Sequence, residues 1–101
     1  MSSAAVSVID AENIKLEGSL DSTTAQQLWQ DLTNAIEAAA SSKLVLSLAS
    51  VTNIDTAGVA LLVNCAVKAN KRNISLSLHQ PPENLYKLAK LSDVDSILAL
   101  Q

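Results

Sequence analysis

The feature that most constrains the fold is a short aliphatic run, Leu44, Val45, Leu46 and Leu48, set between two segments of helical periodicity. So brief an apolar run reads as a strand buried on both faces, hence a central one. Upstream of it, Ala25, Leu28, Trp29, Leu32, Ala35, Ile36 and Ala39 recur at three- and four-residue spacing. Asp21, Ser22, Thr23 and Thr24 offer N-caps to this helix, which ends near Ser41-Ser42. Downstream, a second helix runs from Thr56 or Ala57 to Asn70. Strand, helix and strand in this order imply a crossover connection and parallel pairing.

The flanks fit the same class. Residues 1–5 read as a frayed end. Val6 and Val8, then Ile14 and Leu16, alternate with polar neighbours around a tight turn, and Gly18 closes the second of these strands. Ile74, Leu76 and Leu78 alternate as a further strand. Pro81-Pro82 stops it and opens a helix holding Leu85, Leu88 and Ala89. The tail residues Val94, Ile97, Leu98 and Leu100 fit either a short helix or an edge strand. The fold class is therefore α/β, and 101 residues leave room for one domain. With no Phe, one Trp and one Tyr, the core must come from Leu, Ile, Val and Ala, small enough to let helices lie close on a sheet. Trp29 reads as core, and Cys65 as an apolar filler.

Several function classes are excluded. A net charge of −3, with scattered basic residues, is a poor footprint for nucleic acid or for anionic lipid headgroups. A single cysteine, Cys65, cannot form an intramolecular disulfide and fits a reducing compartment. No apolar run approaches the roughly 20 residues of a membrane span, and the first residues lack a basic leader. A soluble, cytoplasmic domain without membrane insertion is expected. Gly18 and Gly58 are the only glycines, so no dinucleotide or phosphate-binding loop can be built. His79 reads as a loop residue, and one His with one distant Cys gives no zinc site. No catalytic residue, metal or cofactor is expected.

One stretch remains, Asp55, Thr56, Ala57 and Gly58. Asp55 or Thr56 can cap the second helix, and Gly58 permits a close strand-to-helix approach. The same geometry exposes Thr56 at a helix N-terminus, where backbone N–H groups favour a phosphate or a partner carboxylate. Beyond it, Val59 to Ala69 leave only a narrow polar strip around Asn64 and Lys68. Val59, Leu62, Val63 and Ala66 form the inward face. Leu61 and Cys65 extend the apolar surface on one side, and Ala60 and Val67 on the other. A surface helix normally carries a wider polar face, so a partner is expected to cover part of it. The expected docking surface is Asp55, Thr56, Ala57, Gly58, Leu61 and Cys65.

With these residues in hand the chain resembles a STAS domain, the small fold of bacterial anti-sigma-factor antagonists and of anion-transporter tails. Gly18, Ser19, Leu20 and Asp21 look like the family's opening marker, and Asp55 to Gly58 followed by Val59 to Leu62 like its diagnostic loop. The resemblance implies a single STAS domain over residues 1–101, a mixed sheet of four to five strands with helices packed against it. In the phosphoregulated antagonists, the residue before the loop glycine is the serine that a kinase phosphorylates. Here it is Ala57. The loop and the segment Leu85 to Leu91 are similar to the STAS subunit of the Mla phospholipid-transport ABC complex. That likeness implies a non-catalytic accessory subunit, held at the inner membrane through an ABC-transporter ATPase and a membrane permease, that helps maintain outer-membrane lipid asymmetry. There the threonine matching Thr56 lies at the ATPase interface. The alternative is an anti-sigma-factor antagonist that binds a switch kinase through the same surface.

Overall fold

In the computed structural model, which describes residues 3–98, the aliphatic alternation becomes four strands. β1 (Ala4–Val8) and β2 (Asn13–Leu20) pair antiparallel. Their turn is held by Asp10, whose Oδ1 accepts from the amides of Glu12 and Asn13, each at 2.9 Å. β3 (Lys43–Ile54) and β4 (Ser75–His79) add in parallel, giving the order β1-β2-β3-β4. α1 (Ala25–Ala38) and α2 (Thr56–Lys71) are the crossovers between the parallel strands, and α3 (Glu83–Leu91) follows β4. The architecture is the α/β fold with a mixed sheet that the sequence implies, at the lower strand number.

β3 is central, as expected, but it is buried on one face only. Leu44, Leu46 and Leu48 are at most 2% exposed, whereas Val45 and Ser47 between them are half-buried. All three buried leucines join Ile14, Leu16 and Leu20 of β2 in one core against the helices. The opposite face carries Lys15, Glu17, Ser47, Ser75 and Ser77. β3 also runs on to Ile54, past two register shifts against β2. Each shift lets β3 take an extra residue and bends it locally. The polar residues of 49–53 hide this extension from any alternation pattern.

Other boundaries move for local reasons. β2 does not stop at Gly18 but continues to Leu20, with Gly18 at φ +88° beneath the start of β1. A Cβ there would strike the Ser3 carbonyl oxygen and lie 2.9 Å from the Ala4 Cα. The end expected to fray is therefore partly ordered: Ala4 and Ala5 belong to β1, and the Ser19 amide donates to the Ser3 carbonyl at 2.9 Å. Residues 1 and 2 lie outside the described residues. The tail is neither helix nor strand through Leu98, but a series of turns that buries Leu98 and packs Val94 on the core. Leu100 lies outside the described residues. Trp29 is half-buried, flanking the core rather than filling it. The closely packed positions belong to small residues instead, Ala69 of α2 and Ala89 of α3, both fully buried.

Candidate functional site

The two marked stretches of sequence meet in space. Parallel β2 and β3 end level, with Leu20 opposite Ile54, and the Asp55 amide donates to the Leu20 carbonyl at 3.2 Å. Gly58, on the first turn of α2, rests directly on that strand end. A Cβ at this position would overlap the Leu20 carbonyl oxygen and lie 2.7 Å from Ile54 Cγ1 and 2.8 Å from Leu20 Cβ. Only glycine allows α2 to start so close to the sheet.

Each side of this junction is closed by a carboxylate. Asp55 is the N-cap of α2, its Oδ1 accepting from the Ala57 amide at 2.9 Å and from the Gly58 amide at 3.2 Å. On the β2 side, Asp21 accepts from the Ser19 hydroxyl at 2.7 Å, and from the Thr23 amide and hydroxyl at 2.9 and 2.6 Å. The Thr24 hydroxyl donates to the Ser19 carbonyl at 2.7 Å and accepts from the Asp21 amide at 3.1 Å. Asp21 and Thr24 are nearly buried, and this knot holds the β2–α1 turn. Their sequence reading as N-caps is too narrow: Thr24 caps α1 by position, its hydroxyl making no bond to the helix amides, and Asp21 braces the turn before it.

The geometry corrects the reading of Thr56 as a ready anion site. The amides of Ala57 and Gly58, which would hold a phosphate or carboxylate, already bind the Asp55 side chain. What the loop presents outward is the Thr56 side chain itself, exposed at the first position of α2. Ala60, Asn64 and Val67 continue that exposed line at helical spacing, with Ala57 and Val63 half-buried beside it. From Thr56 to Val67 no side chain is charged. Lys68, the first cation, is 3.0 Å from Glu37 of α1.

Leu61 and Cys65 are not on this surface. They are 4% and 0% exposed, and with Gly58, Val59, Leu62 and Ala69 they are buried in the core, while Val63 and Ala66 are only half-buried. A helix with so few polar residues gives a weak rotational phase, and the Gly58 contact is what fixes it. Burial pushes the Cys65 thiol up to about 12, so it is a core group and no nucleophile. His79 ends β4 in an exposed position, far along the chain from Cys65. Among the described residues no group of three or more His, Cys, Asp or Glu side chains is placed to hold a metal ion. No helix among them is long and apolar enough to cross a membrane.

A family model described as "Mlab, STAS domain" matches residues 5–100. The chain belongs to the STAS-domain family. Solved structures repeat this STAS architecture. The unphosphorylated anti-sigma-factor antagonist SpoIIAA matches with a TM-score of 0.72 at 17% identity, covering 93% of this chain and 84% of that one. The phosphorylated form of SpoIIAA, a Bacillus cell-fate determinant, gives 0.70 at 17%, over 93% and 86%. An anti-sigma-factor antagonist from Mycobacterium paratuberculosis gives 0.76 at 20%, over 99% and 85%. At these identities the likeness is one of fold.

These matches overturn the expectation of a phospholipid-transport accessory subunit with an ABC ATPase and permease as partners. The three structures just described, which share this STAS fold over nearly the whole chain, are named as anti-sigma-factor antagonists or their phosphorylated form, and none as a transporter subunit. The burial of Leu61 and Cys65 also removes two side chains from the surface on which that ATPase contact was expected to rest. Sequence reasoning left Ala60, Asn64 and Val67 out of the expected docking surface and gave Asn84 no role. Asn84 reaches back from α3 to the Ile54 carbonyl at 3.0 Å, a contact across thirty positions that no local pattern announces.

Proposed function

We propose that this STAS domain is a non-catalytic docking module of the anti-sigma-antagonist kind, binding a switch kinase through the 55–58 loop and the exposed line of α2. The observation that carries this reading is the position of Thr56. It stands exposed at the start of α2, continuous with Ala60, Asn64 and Val67 along a stretch without charge, before Lys68 and Lys71 in the last turn. Small uncharged side chains let a partner approach the helix closely and demand little desolvation. The antagonist names of the structures sharing this fold support the partner class. The Mlab name of the family model supports a sequence likeness to that branch and by itself names no partner.

Ala57 sets the mode of regulation. It occupies the position before Gly58 and has no hydroxyl to accept a phosphate. The module therefore binds without a phosphoserine switch at that place. Titration calorimetry against purified switch kinases of the host tests the reading. A saturable complex is expected, and Thr56→Glu should weaken it by roughly tenfold or more, because the new carboxylate is buried unpaired at the contact. An unchanged affinity for a folded Thr56→Glu protein would remove Thr56 from the interface. No saturable binding to any such kinase would refute the partner class.

A further inference from the structure

We infer that Asn84 is a positioning residue for the docking loop, coupling α3 to the peptide that precedes the Asp55 cap. The inference takes its functional consequence from the docking reading above, but its physical basis is separate. The peptide unit joining Ile54 and Asp55 is tied at both polar groups. Its N–H donates to the Leu20 carbonyl on β2 at 3.2 Å, and its C=O accepts from Asn84 Nδ2 on α3 at 3.0 Å. With both ends held, the peptide plane is fixed, and with it the direction in which the Asp55 carboxylate meets the Ala57 and Gly58 amides. Thr56 follows directly and inherits that orientation.

Asn84 is well placed for this and for little else. Its own residue is exposed, so it adds nothing to the core. α3 is anchored independently by Leu85 and Ala89, both fully buried, and is preceded by Pro82 at its N-cap, which sets the backbone without a side-chain bond. Loss of the Asn84 amide therefore leaves α3 packed while releasing the loop carbonyl to water. In the bound state the coupling runs the other way: a partner that holds Thr56 also orders the first turn of α3.

Amide hydrogen exchange followed by NMR on the full chain, without a partner, tests the coupling. Its failure is thus separable from failure of the docking reading. Asn84→Asp is the decisive variant, since it keeps the shape and removes the donor. At the second position of α3 a carboxylate also favours the helix through its dipole. A merely structural Asn84 predicts unchanged or slower exchange in this variant. Positioning predicts exchange roughly fivefold faster at the 55–58 amides, the net worth of one hydrogen bond, with strand amides such as Leu46 unaffected. Asn84→Ala should act alike, and Lys87→Ala on the same helix should leave the loop unchanged. Acceleration confined to α3, or equal at loop and core, or absent, would overturn the inference.

Discussion

Gly58→Ala should destabilise the protein although alanine is the better helix former. On propensity alone the change favours α2 by about 1 kcal/mol. Against this stands the strand end beneath it. The added methyl would lie 2.7 Å from Ile54 Cγ1 and 2.8 Å from Leu20 Cβ, well inside the 3.4 Å where ordinary contact begins. It would also overlap the Leu20 carbonyl oxygen, which is backbone in the central pair of strands and cannot rotate aside. The first turn of α2 must lift, and overpacking of this kind costs about 1–3 kcal/mol. Lifting also strains the hydrogen bond from the Asp55 amide to Leu20, with a net value of about 1 kcal/mol. The balance is a loss of about 2 kcal/mol, and the melting temperature of a domain this size falls by roughly 4–8 °C for each of them. Urea and thermal denaturation provide the assay. Ala60→Gly, at an exposed position of the same helix, isolates propensity and should cost about 1 kcal/mol. A Gly58→Ala protein at or above wild-type stability would refute the close approach of α2 to β2.

Three further outcomes follow from the same geometry. Asp55→Ala should cost about 1 kcal/mol in urea denaturation by freeing the Ala57 and Gly58 amides, whereas Asp55→Asn keeps an acceptor and should lose far less; equal stability of wild type and Asp55→Ala would contradict the cap. Cys65 should resist a thiol reagent in the folded protein and react only on unfolding, and rapid labelling of the native state would contradict its burial. The Cys65 thiol is raised from its ordinary 9.0 to about 12, so the fold's preference for the neutral form is fully present below pH 9. That stability should be lost as pH rises from there toward 12, and the urea midpoint should fall less steeply over this range in Cys65→Ala.

Much of the fold was legible because periodicity and punctuation agreed. α1 announced itself through Leu28, Leu32 and Ile36, and the Pro81-Pro82 pair marked the end of β4 and the entry to α3. β3 was only half legible. Its aliphatic half alternates, but its polar half is held by pairing with β2 across two register shifts, and pairing leaves no mark on composition. The site was legible as a place and not as a surface. Asp55 and Gly58 carry local signals, a cap and a close strand-to-helix approach, and both act as such. Leu61 and Cys65 were misplaced because an almost wholly apolar helix has no polar face to set its rotation; the contact of Gly58 with Leu20 sets it, and that contact spans 38 positions of chain.

The central claim is that a partner reads the outer line of α2 and not its buried flank. The direct measurement is a chemical-shift map of the 15N-labelled protein titrated with a switch kinase of the proposed class. Perturbations are predicted at Thr56, Ala57, Ala60, Asn64 and Val67, with a secondary response at Asn84. Perturbations confined to the hairpin end around Val8 and Asp10, with Thr56 and Ala60 silent, would contradict it.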